Sequence, residues 1–372
     1  MTAQREDVAG TAAPAPVAAA GGGRRIGGLD VARGLAVLGM FGAHLGDTGE
    51  LGWDPSTWRA LVDGRSSILF ATLAGVSIAL LSGGRTRLDG RELARARTRV
   101  LVRAAWVFAI GGVLELLDTF VAIILGVYAV LFVLAVPFLR WSPARLLLAA
   151  GVVVLAGPPL TVAVGRYATE RGEEDNAFAF LLFTGYYPAA VWVAFVLVGL
   201  AVGRLDLGAA RVRAGLVVGG AAAAVLGHLG GLLSTRGLAP GQRLEGIETA
   251  FDATGGWDPA WFAGAQPHSS TPFEVVGSGG VAVAVTGVCL VLADLLPRLT
   301  YPLAAVGALA LSVYTAQIVA IHVVDAGYGA DWGLWARFTV TAVLLATVWR
   351  LRLGRGPLER LLTWSSRRAA GP

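Results

Sequence analysis

A chain of 372 residues that is 55% hydrophobic and 15% charged, with a mean hydropathy of +0.67, is too apolar for an ordinary soluble domain. Its net charge of +5 rests on 30 arginines without a lysine, and these gather between apolar stretches as positive-inside topology requires, which speaks against nucleic acid as a partner. Four histidines and the single Cys289 lack metal-ligand spacing, an intrachain disulfide is impossible, and no Walker or dinucleotide loop is present, so neither a metal nor a nucleotide fold is expected.

Residues 1–27 are rich in Ala, Gly and Pro and have no apolar h-region, so they read as a disordered cytoplasmic tail and not as a cleaved signal peptide. Windows of about 20 apolar residues, the length a transmembrane helix needs, follow near 29–47, 65–83, 101–117, 119–139, 145–165, 181–203, 212–233, 273–296, 301–324 and 332–350. The expected fold is all-α: a polytopic membrane protein of about ten helices, with one membrane domain over 28–353 and a cytoplasmic tail over 354–372. With both termini inside, only Arg59, Arg65, Arg166, Arg171, Arg236, Arg243 and Arg337 fall outside, leaving 30 − 7 = 23 arginines at the inner side. The glycines within spans, as in "GGAAAAVLGHLGG" (219–231), predict close helix packing.

Ionisable groups inside apolar helices mark the candidate chemistry, because lipid makes them costly. On the first span, "LDVARGLAVLGMFGAHL", Arg33 and His44 are eleven residues apart, about three turns, so they share a face about 16 Å apart along the axis. Asp30 lies three residues before Arg33, where the bland alternative is an i,i+3 ion pair at the interface, with His44 snorkelling from the helix end. Glu115 and Asp118 end the third span, Glu115 deep enough to face the bundle. His228 and His322 sit in apolar runs and read as packed or hydrogen-bonded. His268 opens "PHSSTPFEVVGSGG" with Ser269, Ser270 and Glu274 nearby, an acceptor-binding candidate in which Ser270 or Thr271 could instead only cap the helix after Pro272. Trp53, Trp58, Trp257, Trp261, Tyr186 and Tyr187 read as an aromatic belt, or as a sugar-stacking surface.

Arg33, ten intervening residues and His44 match the R-x10-H pattern of the acyltransferase-3 family. The stretches "DGRSSILFATLAGVSIALLSGG" (63–84), "VGALALSVYTAQ" (306–317) and "GPLERLL" (356–362) resemble bacterial relatives of heparan-alpha-glucosaminide N-acetyltransferase. Both lie in one transmembrane acyltransferase superfamily, and the resemblance covers about 330 residues. It implies transfer of an acyl group, acetyl above all, from cytoplasmic acyl-CoA (acetyl-CoA) to a sugar hydroxyl or amine outside, in a multi-pass protein of the bacterial plasma membrane. Partners so implied are a small-molecule or carbohydrate acceptor and the lipid bilayer, with a homo-oligomer left open.

On this reading Arg33 holds the anionic donor, since a guanidinium fork suits phosphate. His44 with Asp30 is catalytic, His44 as base or acyl acceptor near neutral pH. His268, Ser269, Glu274 and Glu115 bind the acceptor. The heparan branch places its proposed catalytic histidine in the first external loop, and Thr48 to Arg65 holds none, so His44 carries over from the acyltransferase-3 pattern alone. The alternative function is a transporter or channel-like protein that uses the same polar stripe, against which the sequence shows no inverted repeat.

Overall fold

The computed structural model describes residues 27–46, 54–173, 176–236, 238, 246–253, 255–327 and 331–371. The expected tail up to residue 26, Trp53 and Arg243 lie outside the described residues. The chain is all-α, and no strand occurs among the described residues. Its helices are α1 (Gly27–Leu45), α2 (Arg65–Leu81), α3 (Gly90–Glu115), α4 (Leu125–Ala135, extended by a 3-10 turn to Arg140) and α5 (Pro143–Arg171). A short α6 (Ala177–Ala179) continues as a π turn and leads to α7 (Ala189–Gly203), α8 (Ala210–Ser234), α9 (Pro272–Leu295), α10 (Pro297–Ala308), α11 (Ala310–Val323), α12 (Trp332–Arg352) and α13 (Pro357–Ala369).

Helix starts follow the local sequence. Ser142, Thr271 and Asp331 each accept a hydrogen bond from the backbone N–H three residues on, satisfying one orphan donor of α5, α9 and α12. The expectation that Thr271 could cap the helix after Pro272 is met.

Four helices, α5, α8, α9 and α12, are long and apolar enough to cross a membrane, and the bent pairs α6–α7 (55°) and α10–α11 (71°) raise this to six. The chain is a multi-pass membrane protein. Ten hydropathy windows become four to six such spans for local reasons: α2 has only 17 residues, α3 is crowded with arginine, and Asp30, Arg33 and His44 lower the hydropathy of α1. The last stretch, expected as a tail, carries helix α13.

Where two helices lack a solvent-driven reason to associate, small residues let their backbones touch. Gly227 of α8 lies against Gly277 of α9, Gly220 against Gly280, and Gly75 of α2 against Gly199 of α7; a Cβ would strike the facing backbone at each of them but Gly277, where it would strike the His228 ring. Helix α7 is buried almost all round at the centre of the bundle, whereas α5, α8 and α12 turn Leu148, Leu155, Val218, Leu226, Leu344 and Leu345 outward. An apolar outer face around a packed interior is what a bilayer solvent selects.

The two ends of the bundle differ. At one end Arg85 pairs with Asp206, Arg140 with Asp89 and Arg213 with Asp294. There the buried Arg204 closes the C-terminus of α2, donating to the carbonyls of Ala79, Ser82 and Gly84, to the Ser82 hydroxyl, and to the carbonyl of Leu139. One side chain thereby satisfies carbonyls that a helix end leaves open. At the opposite end the loops before α2, α7 and α9 meet.

Candidate functional site

Helix α1 runs through the bundle between these ends. Near the arginine-rich end Asp30 is 4% exposed and its Oδ1 accepts a 2.7 Å bond from Arg33 Nη1. Arg33 Nη2 donates to Ser77 Oγ on α2 at 2.8 Å. The i,i+3 pair therefore exists, but buried. Asp30 is fourteen residues from His44, about 21 Å along a continuous helix, and its carboxylate meets Arg33 and not the imidazole.

Arg33 opens into a cavity of about 380 Å³ whose polar lining includes Ser77, Arg103, Tyr128, Arg355, Glu359 and Thr363. Arg355 and Thr363 also line a second cavity of about 860 Å³, with Arg99, Arg360, Trp364, Arg367 and Arg368. Arg103 feels Arg355, Arg99, Arg367 and Arg33, and the buried Nε atoms of Arg99 and Arg103 have no hydrogen-bond partner among the described residues. A concentration of like charge with unspent donors is built to receive an anion.

The break between α10 and α11 forms one wall. There Glu359 of α13 accepts from the backbone N–H groups of Leu311 (2.9 Å) and Ser312 (3.1 Å) and from Ser312 Oγ (2.6 Å). The carboxylate occupies the positive end of α11 and holds α13 over the cavity. The quoted stretches 306–317 and 356–362 thus touch one another.

One turn further along α11, Tyr314 approaches His44, ring centroids 6.4 Å apart, and Gln317 stands beside the same imidazole. His44 is half-buried at the far end of α1, and its Nδ1 is shielded and has no hydrogen-bond partner among the described residues. The first turn of α11 lines the arginine cavity and its second faces His44, so α11 links the two.

Beyond His44 lies the opposite end. His268 Nε2 is 3.5 Å from Asp63 Oδ1, with Tyr186 and Tyr187 ring centroids 4.3 and 5.6 Å from the imidazole. Burial raises the Asp63 carboxyl, but the hydrogen bond and charge of His268, with the Gly64 N–H and Arg65, outweigh it and hold Asp63 below the usual carboxylate range. Glu274, 3% exposed, accepts from the backbone of His268 (2.7 Å) and Ser270 (2.6 Å) and from Ser269 Oγ (3.4 Å). Both its oxygens are engaged in the loop.

The fold brings His268, Ser269 and Glu274 together as expected and leaves Glu115 apart, exposed at the end of α3. His228 is satisfied by the Ala224 carbonyl (2.9 Å) and Arg65 (3.2 Å), while His322 is exposed, not packed. Trp58, Trp257 and Tyr186 are exposed as a belt would have them, but Trp261 and Tyr187 are buried: Arg166 stacks on Trp261, and Tyr187 packs on Trp192. Asp63, Glu359 and the α13 arginines were not singled out for the site. Only the presence of 63, 359 and 360 within the resembling stretches points to them in the sequence.

The sequence model described as "Heparan-alpha-glucosaminide N-acetyltransferase, catalytic" matches residues 25–230. The chain belongs to this family. The match starts just before α1 and ends within α8, taking in Arg33, His44, Asp63 and Arg103. It makes the chain an acetyltransferase-type membrane enzyme of a family that uses acetyl-CoA as donor. No curated protein matches the chain.

Proposed function

We propose that the protein moves an acetyl group from cytoplasmic acetyl-CoA to a hydroxyl or amine of a carbohydrate-like acceptor on the external face of the plasma membrane. The observation that carries this reading is the pair of arginine-lined cavities that share Arg355 and Thr363 as lining, the inner one reaching Arg33 and backing onto the helix that reaches His44. The arginine-rich end is cytoplasmic, in keeping with positive-inside topology.

Coenzyme A carries a 3′-phosphate and a pyrophosphate on an adenosine, and a thiol on an uncharged arm. Arg355, Arg360, Arg367 and Arg368 supply charge for the phosphates, and Trp364 a face on which the adenine ring can stack. The inner cavity, more apolar and closed by Arg33 and Arg103, takes the rest. His44, beside Tyr314, meets the acyl carbonyl and either accepts the acyl group or handles a proton. Acceptor contacts come from the opposite end, where Tyr186 offers an exposed ring and Asp63 an ionised carboxylate.

Titration of the purified protein in nanodiscs with acetyl-CoA, followed by calorimetry, tests the reading. Saturable binding that fails in an Arg360→Glu/Arg367→Glu variant is expected. No binding at millimolar ligand would overturn it and return the transporter alternative. Radiolabelled acetyl-CoA supplied to membranes identifies the acceptor by the component that takes up label.

A further inference from the structure

The loop that delivers His268 is shaped at a cost. His268 has φ 62° and Ser270 φ 53°, the left-handed region that residues with a Cβ seldom occupy. Such conformations persist where surrounding structure over-determines them, and they gather at functional sites. Here the buried Glu274 does this, taking the N–H of both strained residues on separate oxygens. Capping α9 requires far less. Thr271 already bonds the Glu274 N–H, and a capping-box glutamate needs only to reach the N-cap residue's own N–H. Glu274 instead reaches past the N-cap to the two residues that set the direction of the imidazole.

The imidazole is then fixed from three sides. Asp63, from the loop before α2, faces Nε2; Tyr186 and Tyr187, from the loop before α7, flank the ring; and Gly64, itself at φ 64°, lets Pro267 and His268 approach the start of α2. Nδ1 is shielded and has no hydrogen-bond partner among the described residues. A carboxylate on one nitrogen and an unpartnered lone pair on the other is the arrangement that selects one tautomer and leaves the imidazole able to take up a proton.

We propose that His268, oriented by Asp63, is the base that deprotonates the acceptor, and that Glu274 is a positioning residue that holds the loop for it. The assignment rests on the acyltransferase reading above and adds to it the residues that activate the acceptor. In the step, the acceptor oxygen or nitrogen forms a bond to the acyl carbon while its proton passes to the His268 imidazole. The acyl carbon–sulfur bond breaks, and its electron pair leaves on the coenzyme A sulfur. The imidazolium, stabilised by Asp63, returns the proton to that thiolate, so the products are the acylated acceptor and the free thiol. His44 is left to meet the acyl group. Asp30 has no part in this step, and Glu274 makes its contribution through the backbone.

The charged and titratable groups facing His268 are Asp63 before α2, Tyr186 and Tyr187 before α7, Glu274 on α9 and His44 on α1, with Arg65 acting on Asp63 and Glu274 and His228 adjoining Arg65. The test uses the full chain in nanodiscs, with coenzyme A binding by calorimetry and transfer of labelled acetyl from acetyl-CoA to D-glucosamine as the probe acceptor. His268→Gln should lower kcat by about 10²- to 10⁴-fold with coenzyme A affinity unchanged. Asp63→Asn should lower kcat less and move the acid limb of the pH–rate profile to lower pH, because imidazolium loses its carboxylate. Glu274→Gln should lower kcat with coenzyme A affinity unchanged.

His268→Gln that binds coenzyme A normally and keeps kcat within tenfold of wild type overturns the proposal alone. An unshifted acid limb in Asp63→Asn overturns it even if His268→Gln does not fold. A wild type that binds no coenzyme A overturns the acyltransferase reading, and this assignment falls with it.

Discussion

Replacing Arg33 by alanine would do two things at once, and the structure separates them. The guanidinium neutralises Asp30, whose side chain is 6% exposed, through a 2.7 Å bond. Arg33→Ala takes from the buried Asp30 its 2.7 Å ion pair, and losing one partner of a buried pair costs up to about 3–5 kcal/mol. Arg33→Ala should therefore unfold at a clearly lower temperature whatever its role with the donor. In Asp30→Asn/Arg33→Met the carboxylate is gone too, and exchanging a buried pair for uncharged groups of similar volume is often neutral, so stability should return to within about 1 kcal/mol of wild type. Donor binding should not return with it. A charge-assisted hydrogen bond contributes about 1.5–3 kcal/mol, so the double variant should bind coenzyme A about 10- to 100-fold more weakly. Thermal unfolding in detergent and calorimetric titration read the two quantities separately. A double variant with wild-type stability and wild-type affinity would refute the reasoning, and Arg33 would then only hold Asp30 and Ser77 in place.

Arg204→Met should destabilise by about 3 kcal/mol or more, because four carbonyls near the ends of α2 and α4 lose their donor together; chemical denaturation in mixed micelles measures it. Glu359→Ala should accelerate amide hydrogen exchange at Leu311 and Ser312 and weaken coenzyme A binding about tenfold, since α13 loses its hold on the α11 terminus; unaltered exchange would show that packing alone holds α13. Asp63 has a folded-state pKa below its unfolded one, so its contribution is complete above about pH 3.9, the ordinary value, and disappears as pH falls through the folded value. The stability difference between wild type and Asp63→Asn should accordingly close as the pH falls below about 3.9.

The helical, membrane-spanning character of the chain was legible because apolar content and the spacing of charge are properties of composition. So was the α1 stripe, since 3.6 residues per turn place Arg33 and His44 on one face without reference to the rest of the fold. The number of spans was less legible. A hydropathy window does not register that α2 stops after 17 residues or that α10 and α11 part at Leu309. Long-range partners were not legible at all: Glu359 and Leu311 are 48 residues apart, and Asp63 and His268 are separated by seven helices and several loops. Glu274 shows the same limit from the other side. A buried acid next to two serines suggests substrate contact, and only the fold reveals that the backbone of its own loop engages both oxygens.

The grip of Glu359 on the start of α11 bears on how the protein can be handled. Deleting everything after Gly356 would look, on a hydropathy plot, like trimming a polar appendage from a finished membrane domain. In fact it would take away the carboxylate that seals the kink at Leu309, three arginines that line the larger cavity and its one tryptophan. A shortened chain of this kind could sit correctly in the bilayer and still be inert, so survival in the membrane is a poor guide to a sound preparation, and affinity tags are better attached away from this helix.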